Sequence, residues 1–162
     1  MFESPTTFHR RWGIAWLGLA IALAIHVTDE ALTGFLPLYN SIVLEIRESY
    51  SFIPLPTFIF PVWLGGLIVA VLILFLLSPL VFAGRTPLRY LSYALSIMMI
   101  LNGFGHMGAS LYWGTLAPGV YSSPILLVAA VALLVSTFQA HRKSGGGDRA
   151  SQRGDSTRLG RR

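Results

Sequence analysis

Apolar residues in this chain accumulate in four runs, at about residues 12–27, 58–82, 88–113 and 123–140, and nearly all of the charge falls between or outside them. A bilayer core needs about 20 mostly apolar residues for each crossing helix. The runs therefore predict an all-α integral membrane bundle of about four transmembrane helices. The first run follows His9, Arg10 and Arg11 in the manner of a signal peptide. Its end, Ala24-Ile25-His26-Val27, lacks small residues at both positions a signal peptidase needs, so it reads as a retained helix. The second run carries Pro61 near its start, and Gly65 and Gly66 offer close helix contact. The third is more polar in its second half, where Asn102, Gly103, Gly105, His106 and Gly108 occur. Pro118, Gly119 and Pro124 mark the approach to the fourth.

The segments between the runs divide the chain further. Residues 28–57 hold four acids and one base, punctuated by Pro37, Pro54 and Pro56, and read as a long loop outside the hydrocarbon. Within it Ile42, Val43, Ile46 and Tyr50 fall at helical spacing with Glu45, Arg47 and Glu48 off the stripe, which predicts a short amphipathic helix lying in the interface. Residues 141–162 combine Gly145, Gly146 and Gly147 with scattered arginines and few large apolar side chains. Such a tail buries too little surface to fold and is expected to be disordered. The resulting division is a segment at 1–11, a transmembrane domain at 12–140 and a basic tail at 141–162.

Charge then sets the topology. Four spans put Arg10, Arg11, Arg85, Arg89 and the seven basic residues of the tail on one side, leaving Arg47 on the other. By the positive-inside rule both termini are expected in the cytoplasm of a multi-pass cell-membrane protein, with the acidic 28–57 loop facing outward. Trp12, Trp16, Trp63, Tyr112 and Trp113 fall near span ends, as interfacial aromatics do. The bilayer itself is the first expected partner, and the basic tail is suited to anionic lipid at roughly 1 kcal/mol per residue near the surface.

Composition narrows the chemistry. With 54% hydrophobic and 12% charged residues in 162 positions, the chain has no room for a separate soluble catalytic domain. There is no cysteine, which removes disulfides and thiolate sites. The net charge of +5 follows from the flanking basic residues that topology already requires, and gives no support to a nucleic-acid partner.

One polar cluster stands out against this background. His26 ends the first span, and Asp29 and Glu30 follow at i+3 and i+4, on one face if the helix persists another turn. Asn102 and His106 share a face of the third span at i and i+4. At about 1.5 Å per residue, His26 lies about 22 Å above Arg11 and His106 about 27 Å above Leu88, so both reach the outer boundary. Ionisable groups at membrane depth cost a few kcal/mol unless paired, which favours one shared polar pocket. Imidazole, carboxylate and carboxamide without sulfur suit a divalent ion such as Zn²⁺, Fe²⁺ or Mn²⁺. His26, Glu30 and His106 are the expected ligands. Asp29 is a fourth ligand or a general base, and Asn102 orients a carbonyl or fixes a ligand.

Each element of that cluster also has a plainer reading. His26, Asp29 and Glu30 stand where a helix leaves the membrane, and polar residues are ordinary there. Asn102 and His106 are the kind of residues that hydrogen-bond between helices, at about 0.6 kcal/mol on average. Gly103, Gly105 and Gly108 suit close packing, and Met98, Met99 and Met107 suit packing or lipid contact rather than copper. Ser110 and Ser123 have no base placed beside them to make either a nucleophile.

Taken together, His26-Val27-Thr28-Asp29-Glu30, then Asn102-Gly103-Phe104-Gly105-His106, then Leu116-Ala117-Pro118-Gly119 resemble the HXXEE family of small membrane proteins, whose HXXEE, NXXXH and YXPG motifs occur in that order. Asp29 stands where that pattern has its first Glu, and Leu116 where it has Tyr. The resemblance implies a multi-helix membrane protein with the cluster acting as a unit, and names no reaction. Three expectations follow. The first is a membrane-embedded metal-dependent enzyme, a hydrolase, acting on a lipidic or amphipathic substrate near the outer boundary. The second is a non-enzymatic transporter, ligand-binding protein or accessory subunit whose cluster holds an ion, a proton or a small ligand. The third is a helix bundle whose partner supplies the chemistry.

Overall fold

The computed structural model describes residues 5–50 and 52–140, with the main chain alone at positions 5 and 6. The expectations for residues 1–4 and for the basic tail at 141–162 lie outside the described residues. The regular structure of the described residues is all-helical: α1 (Pro5–Thr33), α2 (Phe35–Ser49), α3 (Phe60–Phe82), α4 (Pro87–Trp113) and α5 (Ser123–Ala140). Of these, α1, α3, α4 and α5 are long and apolar enough to cross a membrane.

The 28–57 segment differs most from expectation, because it is largely helical rather than a loop. At 29 residues α1 is about 43 Å long, more than the ~30 Å hydrocarbon thickness, and so runs on past Val27 to Thr33. Gly34, at φ 81°, then turns the chain by a left-handed step that a side chain would resist. Pro37 does not interrupt α2, since it sits in the first turn, where its missing N–H would have had no partner. In the middle of α2, Asn40 takes a hydrogen bond from the Phe58 amide (3.1 Å) and donates one to the Phe58 carbonyl (2.8 Å), fastening the helix to the approach of α3.

Buried positions recur at alternating steps of three and four on each span, the spacing of a helical seam. On α1 they are Trp12, Trp16 and Leu19 and then, two such steps on, His26 and Glu30, and on α4 Ser92, Ser96, Met99, Gly103 and His106. On α5 they are Ser123, Leu126, Ala130, Leu133 and Thr137. Small residues dominate the α4 and α5 seams, so these helices approach closely, as membrane helices without a hydrophobic driving force between them must. Gly103 shows how closely, since a Cβ there would lie 2.7 Å from Leu127 Cγ.

The same packing corrects the reading of Trp12 and Trp16 as interfacial aromatics. Both are fully buried, at 0% and 1% exposure. Trp12 Nε1 donates to Ser92 Oγ at 3.0 Å, and Trp16 Nε1 donates to the Leu74 carbonyl at 2.8 Å. The indole N–H finds a partner inside the bundle and no longer needs the water boundary. Tyr112 and Trp113 remain exposed at the end of α4.

Candidate metal centre

Two contacts fix the relation of α1 to α4. Trp12 meets Ser92 and His26 meets His106, each pair 80 positions apart, so the helices run parallel in constant register. The register carries the seam residues His26 and Glu30 of α1 to the seam residue His106 of α4. Their exposures are 1%, 5% and 7%. The imidazoles of His26 and His106 stand edge to face with centroids 4.9 Å apart. Glu30 Oε1 lies 3.4 Å from His26 Nε2 and 3.1 Å from His106 Nε2. One ligand atom from each residue falls within 4.8 Å of the other two, so the three together can hold a metal ion. Two bonds of about 2.0 Å at a tetrahedral centre put their ligand atoms about 3.3 Å apart, which both Glu30 distances already match.

Asp29 is not brought into this group. It turns to the start of α5, where its Oδ2 accepts hydrogen bonds from the Ser122 amide (2.9 Å) and the Ser122 hydroxyl (2.7 Å). A carboxylate at a helix N-terminus also meets the positive end of the helix dipole. The expected fourth-ligand or general-base role thus gives way to a structural one, because i+3 turns Asp29 toward α5 while i+4 keeps Glu30 on the seam.

Ser122 was not singled out by its sequence, yet it joins Asp29 to His26. Its oxygen is 2.8 Å from His26 Nδ1. Having one hydrogen, already given to Asp29, the hydroxyl can only accept from the imidazole, so the network assigns Nδ1 as the protonated nitrogen. In the neutral ring His26 Nε2 then carries a lone pair; it is fully buried and has no hydrogen bond. It faces the Glu30 carboxylate across 3.4 Å. Two electron-pair donors aimed at one buried point require a positive charge between them. A histidine whose other nitrogen donates to a fixed acceptor is the common arrangement around bound metals. Ser122 sits between the acid and the imidazole and gives its proton to the acid, which is the wrong order for a serine nucleophile.

The connector before α5 closes the site. Gly119, at φ 81°, lies so near that a Cβ there would sit 2.9 Å from His106 Cε1 and 3.1 Å from Glu30 Cγ. Its amide donates to Thr33 Oγ1 at 3.1 Å, and its carbonyl accepts from Ser123 Oγ at 2.8 Å. Ser110 Oγ donates to the His106 carbonyl and accepts from the Ala117 amide, which ties the same connector to α4. Ser110 and Ser123 are therefore spent on main-chain contacts. Residues of all three sequence motifs meet here.

Beside His106 a cavity of about 350 Å³ separates α2 from α4. Its α2 wall is the stripe Phe35, Leu38, Tyr39, Ile42, Val43 and Ile46. The apolar face expected to lie in the interface is thus turned toward α4. Phe35 packs edge-on against the His106 ring at 5.4 Å. Asn102 also borders the cavity, one turn before His106, and its Oδ1 is buried without a hydrogen-bond partner, a state that costs about 1–3 kcal/mol. Asn102 makes no bond to the three ligands, so the expected ligand-fixing role is not seen; its side chain borders the cavity instead.

No protein-family model matches this chain, and no curated protein or solved structure matches it either.

Proposed function

We propose that the protein is a multi-pass membrane metalloenzyme in which His26, Glu30 and His106 hold one divalent ion, with Zn²⁺, Fe²⁺ and Mn²⁺ the suitable candidates, and that it hydrolyses a lipidic or amphipathic substrate near the outer membrane boundary. The observation that carries the reading is the pair of buried donors, His26 Nε2 and Glu30 Oε1, aimed at one point with His106 Nε2 beside it. Among the described residues the site offers three ligands rather than four, and three-ligand sites are the ones that keep a position for water or substrate. A metal bound there would lower the pKa of a coordinated water toward 7 and supply a nucleophile. The chain's own residues hold the ligands. Ser122 and Asp29 orient His26, Gly119 and the Ser110 bonds seat His106, and α2 shelters the site from water. Convergence of the three motifs also favours kinship with the HXXEE family.

A second reading rests on the same pair. A proton between His26 Nε2 and Glu30 would neutralise the donors as a metal does, making the cluster a proton-holding site in a non-enzymatic membrane protein. Metal analysis separates the two. Detergent-purified protein prepared without chelators should contain close to one metal per chain by mass spectrometry, falling at least tenfold in His26→Ala, Glu30→Gln and His106→Ala. Wild type free of metal under those conditions rejects the metalloenzyme in favour of the proton site.

A further inference from the structure

The polar and apolar surfaces of the cavity between α2 and α4 are separated in space. Asn102 and His106 sit at one end on α4, and the rest is lined by the aliphatic and aromatic side chains of α2 together with Leu55, Ala109, Trp113 and Ala117. Among the described residues no Lys, Arg, Asp or Glu borders it, so away from the metal centre at His106 its wall offers a charged molecule no counter-ion. Its volume lies at the small end of the range for small-molecule sites. At about 30 Å³ for a water-sized group it has room for on the order of ten such groups, one ring with a short tail. Ile42, Gly105 and Trp113 border the cavity and are themselves exposed, which marks its mouth at the surface between α2 and α4.

We infer that this cavity binds an uncharged, lipid-soluble alcohol entering sideways from the bilayer, with its hydroxyl against Asn102 and His106 and its apolar body along α2. The unpaired group is an acceptor, Asn102 Oδ1, so the missing partner is a hydrogen-bond donor. A hydroxyl is the uncharged donor that can also accept a bond from the amide end. The χ2 torsion of Asn is soft, so the carboxamide can turn that acceptor to a molecule in the cavity without moving α4. The inference goes beyond the proposed function by naming a ligand class: an alcohol has no bond to hydrolyse, so in that reaction it is the group released from an ester rather than the substrate. It rests on that reading for the reaction, and on the cavity alone for the binding.

Gly105 supplies a test that leaves the fold intact. A Cβ at this position meets nothing within 4 Å, and leucine is a better helix former than glycine, so Gly105→Leu should fold while filling the mouth. Binding of tritiated 4-octylphenol and of octylbenzene would be measured on the full chain in nanodiscs, with metal content determined on the same samples. Wild type is expected to bind the phenol saturably, one per chain and at least tenfold tighter than octylbenzene. Gly105→Leu should lose phenol binding at least tenfold with its metal retained. Asn102→Leu should bind both probes alike, and His26→Ala should lose metal and keep the phenol. Equal affinity of wild type for both probes, non-saturable uptake alone, or unchanged binding in Gly105→Leu would overturn the inference. Metal-free wild type that still binds the phenol would uphold the alcohol site while removing the metal reading.

Discussion

Ser122 makes no contact with the Glu30 carboxylate, yet it decides which nitrogen of His26 is free. Removing its hydroxyl leaves Nδ1 without its acceptor and Asp29 without one of two donors, so the imidazole is free to rotate or to change tautomer. Loss of such an outer partner typically lowers metal affinity 10–100-fold. Ser122→Ala is expected to fold normally and to show a drop of that size in competitive chelator titration, and an unchanged affinity would refute the positioning role. Why this residue could not be read in the sequence, when His26, Glu30 and His106 could, is a matter of distance along the chain. The ligands announce themselves through i, i+4 spacing and matched depth on two spans. Ser122 lies 96 positions from His26, in a connector with no periodicity to place it. Asp29 turns away from the cluster for a related reason. Adjacent helix positions point about 100° apart, and only a third helix, not visible in local spacing, gives the second acid its separate employment.

The elements are joined by glycines whose conformations look alike and whose surroundings do not. Gly34, between α1 and α2, and Gly119, before α5, both have φ 81°. Alanine at either should cost about 1–2 kcal/mol for the left-handed backbone. At Gly34 the added methyl enters open space, whereas at Gly119 it meets the His106 ring and Glu30. Thermal denaturation should therefore show the larger loss for Gly119→Ala, and metal analysis should show metal lost there and kept in Gly34→Ala. Equal behaviour of the two would mean that Gly119 merely turns the chain. At this scale the span centres were legible because a continuous apolar run of this length has few alternatives. The ends were less legible. A helix leaving the membrane loses its hydrophobic signal before its hydrogen bonding, and α1 accordingly passes Val27 by more than a turn. Prolines in the first turns of α2 and α3 look like breaks in a sequence and are tolerated in a helix.

At the scale of the molecule, the parallel register of α1 with α4 requires that the start of α1 and the start of α4 lie at one end, with the metal centre at the other. The charges support the orientation we propose for the bundle. Arg10, Arg11, Arg85 and Arg89 gather at the end away from the site, which the positive-inside rule assigns to the cytoplasm. The centre and α2 would then lie toward the outside, with the substrate arriving from the outer leaflet. Because the natural chain has no cysteine, single substitutions report on each side without a background. Thr115 and Thr86 are both exposed and stand in connectors at opposite ends, the first between α4 and α5 and the second between α3 and α4. In intact cells a membrane-impermeant maleimide should label Thr115→Cys and leave Thr86→Cys untouched until the membrane is opened. The reverse pattern would place the centre on the cytoplasmic side, leaving its geometry intact while changing which leaflet, and which pool of substrate, it can reach.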